Sequence, residues 1–226
     1  MWQSIFGSIL ALGLAALLVR HVLTVMARQK AAPAILFGSV MDLLQGPRIE
    51  PGASFGAHKL IGRYRDLPVQ VQTIVDTLNV RKLPSLWLMV TVPEPLPLAA
   101  TFDLMMRPSG PSTFSNFDNL PVTVEHHPDF PDTAVVRTDD PDHVAPAHVI
   151  APHLGAFKET RGKELLISPK GVRMVFQLSE GDRARYGVFR QAEFGDVALD
   201  KAQLRDILDR LIALRADLLE WCKKTQ

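Results

Sequence analysis

The residues best suited to chemistry lie late in the chain: Arg173, Arg183, Arg185, Tyr186 and Arg190. A guanidinium is a rigid fork of donors that fits a phosphate or carboxylate bidentately. Brought together, these side chains would bind an anionic group, such as an anionic lipid headgroup or an acidic partner. The competing reading is a solvated loop in which Glu180 and Asp182 neutralise the arginines.

A second concentration is His126, His127, His143, His148 and His153, interspersed with Asp129, Asp132, Asp139, Asp140 and Asp142. Imidazole and carboxylate are the donors zinc or iron would use. The spacing opposes it. His143, His148 and His153 recur every fifth residue, which rotates each by about 500° on a helix and scatters them around it. Metal-binding helices use a spacing of four to keep ligands on one face. A turn and a helix start with acidic residues at its N-terminus explain the segment without a metal. No metal and no cofactor are expected.

The remaining candidates are weaker. Residues 110–115 offer hydroxyls and one glycine but lack the glycine-lysine pattern of a phosphate-binding loop. No G-x-S-x-G elbow frames a serine. Cys222 precedes Lys223 and Lys224, which favour a thiolate, yet an isolated cysteine is more often incidental. Trp87 and Trp221 read as packing residues.

Whatever these groups do, the first stretch determines where they do it. Trp2–Val19 carries no charged side chain, and Arg20 and His21 end it. A bilayer-spanning helix needs about 20 apolar residues, and Val22–Ala27 extends this one by further turns. A cleaved signal peptide would need a basic leader and a small-residue cleavage site. Met1–Phe6 has no basic side chain, and Arg20, Arg28 and Lys30 follow the run. A buried soluble helix is the other alternative. The charges after the run place the C-terminal side in the cytoplasm by the positive-inside rule. Gly7, Ala11 and Ala15 recur at four-residue steps, a small-residue face suited to close helix–helix contact.

Residues 34–44 read as a short helix starting at Pro33. It either packs on the domain or lies on the bilayer, where its lone charge, Asp42, suits it poorly. Arg48–Phe55 reads as a linker. Strands are expected at Ala57–Tyr64, Leu67–Leu78, Pro84–Val92, Ala100–Met106, Val122–Glu125 and Ala134–Thr138. Leu67–Leu78 alternates apolar and polar residues. Pro84–Val92 is apolar enough to sit centrally in a sheet. His143–Phe157 reads as a helix broken by Pro146 and Pro152. Glu164–Ser168 and Gly171–Leu178 form a hairpin around Pro169-Lys170, and Val188–Phe194 is a further strand candidate. Asp200 caps a final helix, Lys201–Lys223, striped by Leu204, Ile207, Leu208, Leu211, Leu214, Leu218 and Leu219.

The expected class is therefore α+β: an N-terminal transmembrane helix, then one domain with a largely antiparallel sheet and a long C-terminal helix. The division is 1–30 anchor and basic flank, 31–55 short helix and linker, and 56–226 cytoplasmic domain. About 180 residues after the anchor suffice for one real core. A net charge of +1 gives no field favouring nucleic acid. A single cysteine excludes an internal disulfide framework. The function expected is a single-pass, membrane-anchored, non-enzymatic accessory or assembly module. Its partners would be the bilayer and a membrane protein or a second copy of itself. The alternative is a membrane-bound hydrolase or transferase acting on an anionic substrate through the arginine group.

Overall fold

The computed structural model describes residues 13–20, 23, 33–52, 58–76, 83–108, 110, 112–158, 161–181 and 194–225. Nine strands form one sheet: β1 (Gln45–Pro51), β2 (His58–Tyr64), β3 (Leu67–Asp76), β4 (Ser85–Val92), β5 (Phe102–Met106), β6 (Val122–Val124), β7 (Ala134–Thr138), β8 (Gly162–Ser168) and β9 (Gly171–Glu180). Their spatial order is β1-β2-β3-β4-β9-β8-β5-β7-β6, and every neighbouring pair is antiparallel. The β8–β9 hairpin fills the gap left between β4 and β5. β4 is an interior strand, as its apolar sequence requires.

Turn chemistry fixes the register. Arg65 and Asp66 both take positive φ (48° and 63°) between the paired residues Tyr64 and Leu67. Two left-handed residues in a two-residue hairpin match the strand twist, although neither is glycine. Asp66→Gly is therefore expected to stabilise the fold by about 0.5–1 kcal/mol, read as a higher urea midpoint. In the β8–β9 turn, Gly171 (φ 131°) passes so close to Val92 that a Cβ would sit 2.2 Å from its carbonyl oxygen. The proline-rich stretch after β4 cannot pair in a sheet interior. It docks instead through Leu96 N–H donating to Pro169 O (3.0 Å).

Alternation along the strands builds two unequal layers. On one face Val69, Val71, Leu88, Val90, Leu104, Leu165, Ile167, Met174 and Phe176 form the main core. The C-terminal helix (Lys201–Thr225) closes that core with Leu204, Ile207, Leu208, Leu211, Leu214 and Leu218. Leu219, expected on the same stripe, is only partly buried at its border. Asp200 Oδ1 accepts the Gln203 N–H at 2.7 Å, capping this helix as expected. The segment broken by Pro146 and Pro152 becomes a chain of short turns from Pro141 to Lys158.

Two expectations are corrected. The helix expected over 34–44 stops at residue 37, and Met41–Leu43 adds one 3-10 turn. Gly38 and Ser39 are poor helix residues and break it. Phe37, Val40 and Leu44 are buried in the main core, so this segment packs on the domain. Residues 48–51, expected to be linker, belong to edge strand β1, which pairs with β2 through a bulge between Gln45 and Arg48. Val188–Phe194 lies almost wholly outside the described residues.

Residues 13–20 are helical. Leu14, Leu17, Leu18 and Val19 stay 57–66% exposed. Among the described residues no helix is long and apolar enough to cross a membrane.

Candidate functional site

The second face of the sheet is mostly polar, except where residues 112–120 cross it. Phe114 and Phe117 from this strap pack on Met89, Met105 and Val175, with Trp87 at the border. The Phe114 and Trp87 rings lie 5.4 Å apart. β5 is thereby buried on both faces. That enclosure seals two carboxyl side chains between layers: Asp103 on β5 and Glu164 on β8 are 1% and 0% exposed.

Register brings a cation to them. Leu166 pairs with Arg173 and Glu164 with Val175, which sets Arg173 diagonally across from Glu164 on the same face. Arg173 donates to Glu164 Oε2 through both Nε (3.1 Å) and a terminal nitrogen (2.8 Å). Ser115 Oγ reaches Asp103 Oδ2 at 3.5 Å and accepts the Phe117 N–H at 3.0 Å. Asp103 Oδ1, Glu164 Oε1 and Trp87 Nε1 are buried without a hydrogen-bond partner among the described residues.

One guanidinium cannot neutralise two carboxylates in a dry layer. Burial first, and then the charge of Glu164, pushes the Asp103 carboxyl up to about 8. Burial also raises Glu164, while Arg173 pulls it back. At neutral pH the Asp103 carboxyl is therefore biased toward its protonated form, able to donate, and Glu164 Oε2 is the oxygen held by Arg173.

Beside this group a cleft of about 290 Å³ opens at one end of the sheet. The strap supplies Ser112, Ser115, Phe117 and Asp118 to its lining. The sheet supplies Trp87, Met105 and Gln177, and Arg107, Arg161 and Lys163 bring positive charge. Lys163 donates to the carbonyls of Met106 (2.7 Å) and Arg107 (2.9 Å), and so secures the end of β5 where Arg107 takes φ 45°. Asp76, Asp118 and Glu180 line it as well, so the cleft can offer hydroxyls and charges of both signs to a small polar group, with Asp103 behind Ser115.

Of the five residues expected to bind an anion, Arg173 is turned onto Glu164. Arg183, Arg185, Tyr186 and Arg190 lie outside the described residues. Gly7 and Ala11 also lie outside them, whereas Ala15 is in the exposed helical stretch. The histidines disperse. His143 and His153 pair separately with Asp140 (2.7 Å) and Asp217 (2.8 Å), and His127 lies 3.7 Å from Asp129. Among the described residues no three or more His, Cys, Asp or Glu side chains are grouped to hold a metal ion. Cys222 is buried against the Pro97 carbonyl (3.6 Å), and burial pushes its thiol up. That is the opposite of an activated nucleophile.

Asp103 and Glu164 escaped the sequence reading. A signal was present: Asp103 has apolar neighbours at both strand parities, Phe102 and Leu104 on one side and Met105 on its own. A strand apolar on both faces is a strand covered on both faces, so a charge within it must be buried.

No protein-family model, no curated protein and no solved structure matches the chain.

Proposed function

We propose that this chain is a single-pass, membrane-anchored protein. Its N-terminus lies outside and its α+β domain in the cytoplasm, and it serves as a non-enzymatic accessory or assembly module of a membrane complex. The observation that carries the reading is the uncharged run Trp2–Val19, whose described part, residues 13–19, is helical and exposed throughout. A helix apolar on all sides has its natural solvent in lipid. None of the described residues 13–19 belongs to the domain's core, whose main face the C-terminal helix covers. A second copy or another membrane protein would contact Gly7, Ala11 and Ala15.

The test is purification of the tagged full chain from membranes in mild detergent, with and without Gly7→Leu, Ala11→Leu and Ala15→Leu together. A stoichiometric membrane partner, or a stable self-assembly, is expected from the parent and is expected to be lost from the variant. A lone monomer from the parent, or an unchanged complex from the variant, contradicts the reading.

A membrane-bound hydrolase or transferase for an anionic substrate is the second reading. It is favoured by one observation, that Ser115 joins the protonated Asp103 to a cleft lined also by Arg161. Turnover of phosphate or carboxylate esters by the purified chain, abolished in Ser115→Ala, would favour it over the first.

A further inference from the structure

The buried acid pair has a consequence for the strap above it. The charged groups that face the pair among the described residues come from several elements. From β9, Arg173 is bound to Glu164. From β8, the Lys163 ammonium is held by two backbone carbonyls at the end of β5. From β7, Arg137 stands opposite Asp103 in register. Its guanidinium lies over the Phe117 ring (5.4 Å) and donates to the Asp118 carbonyl (3.0 Å). From the strap come Ser115, which is neutral, and Asp118, which is acidic. Among the described residues one cation, Arg173, thus bonds directly to the pair, and Lys163 acts on Glu164 electrostatically. If both ionise, an uncompensated negative charge remains between two apolar layers, which is costly.

Rearranging the sheet to hydrate that charge would break paired strands. The strap is held by side chains rather than by strand pairing. Ser115 is its hydroxyl contact to the pair, at 3.5 Å from Asp103 Oδ2, and aromatic packing and the Arg137 contacts anchor it further. It also forms one wall of the cleft.

We propose that residues 112–120 are a proton-latched strap: closed over the sheet while the Asp103–Glu164 pair holds one proton, and lifted when both carboxyls ionise, which opens the adjoining cleft. Lifting admits water to both carboxylates and exposes Met89, Met105 and Val175. The position of Asp103, at about 8, puts the transition just above neutrality. In this way a modest rise in pH would change the surface the domain presents. The inference is independent of whether the chain is anchored in a membrane.

Trp87 reports the strap, because Phe114 covers it at 5.4 Å. The experiment is acrylamide quenching of Trp87 fluorescence in the full chain carrying Trp2→Phe and Trp221→Phe, from pH 6.5 to 9.5, with far-UV ellipticity recorded in parallel. The expected result is at least a twofold rise in the quenching constant, with a midpoint near 8 and unchanged ellipticity. Asp103→Asn is expected to stay at the low-pH value throughout. Glu164→Gln, which leaves one carboxyl for one guanidinium, is expected to do the same, so either folded variant suffices. Constant quenching across the range, a rise that only accompanies loss of ellipticity, or the same midpoint in either variant would overturn the proposal.

Discussion

Replacing Arg173 by alanine is expected to cost about 3–5 kcal/mol of folding stability at pH 7, where the strap is closed. The loss comes from stranding Glu164, which is fully enclosed and whose other oxygen has no partner among the described residues. The cost is that of an unpaired buried charge, so acid should relieve it. As the pH falls, Glu164 can take up a proton and the penalty diminishes. The parent chain should show a related slope. An unfolded aspartate releases its proton near 3.9, whereas folded Asp103 holds it to about 8. Between those values the folded state binds the extra proton, so stability falls as pH rises and levels off above the window. Denaturant unfolding of the parent and Arg173→Ala at pH 5 and pH 7 reads both effects. A double variant, Glu164→Leu with Arg173→Ala, should recover much of the loss, because removing both charges leaves none to strand. An equal cost for Arg173→Ala at both pH values would mean that packing of its stem, not charge, carries the effect.

This site shows what the sequence reveals and what it hides. Local patterns were legible. Val69, Val71 and Thr73 against Gln70 and Gln72 announce a strand with one buried face, and the strand is there. The leucine stripe from Leu204 to Leu218 announces the closing helix, and Pro169-Lys170 the hairpin. β1 was hidden because Arg48–Phe55 reads as a linker, whereas Gly46 (φ 58°) and Pro47 sit at the bulge of an edge strand that runs to Pro51. The acid pair was hidden for a different reason. Glu164 meets Arg173 through the register of β8 and β9, and Asp103 shares their layer because β5 is inserted beside β8. Such encounters depend on strand order, which no short window contains. Charged residues in short strands also read as solvent-facing until the strap that covers them is placed. The arginine group was read from proximity in sequence. In the fold, Arg173 belongs to the acid pair across from it.

The other large effect concerns the first helix. Leu14 and Leu17 lie near the middle of the helix expected if the uncharged run 2–19 continues through 22–27, and are 61% and 63% exposed. Arginine at the centre of a spanning helix costs about 2.5–3.5 kcal/mol, so Leu14→Arg with Leu17→Arg opposes insertion by roughly 6 kcal/mol. The domain core uses neither residue, so its fold should persist in the variant. Alkaline carbonate extraction of membranes carrying the full chain tests the central claim most directly. The account predicts that the parent remains in the membrane pellet and that the doubly substituted chain moves to the supernatant with its far-UV ellipticity retained. A parent chain released into the supernatant, or a variant retained as firmly as the parent, would contradict it.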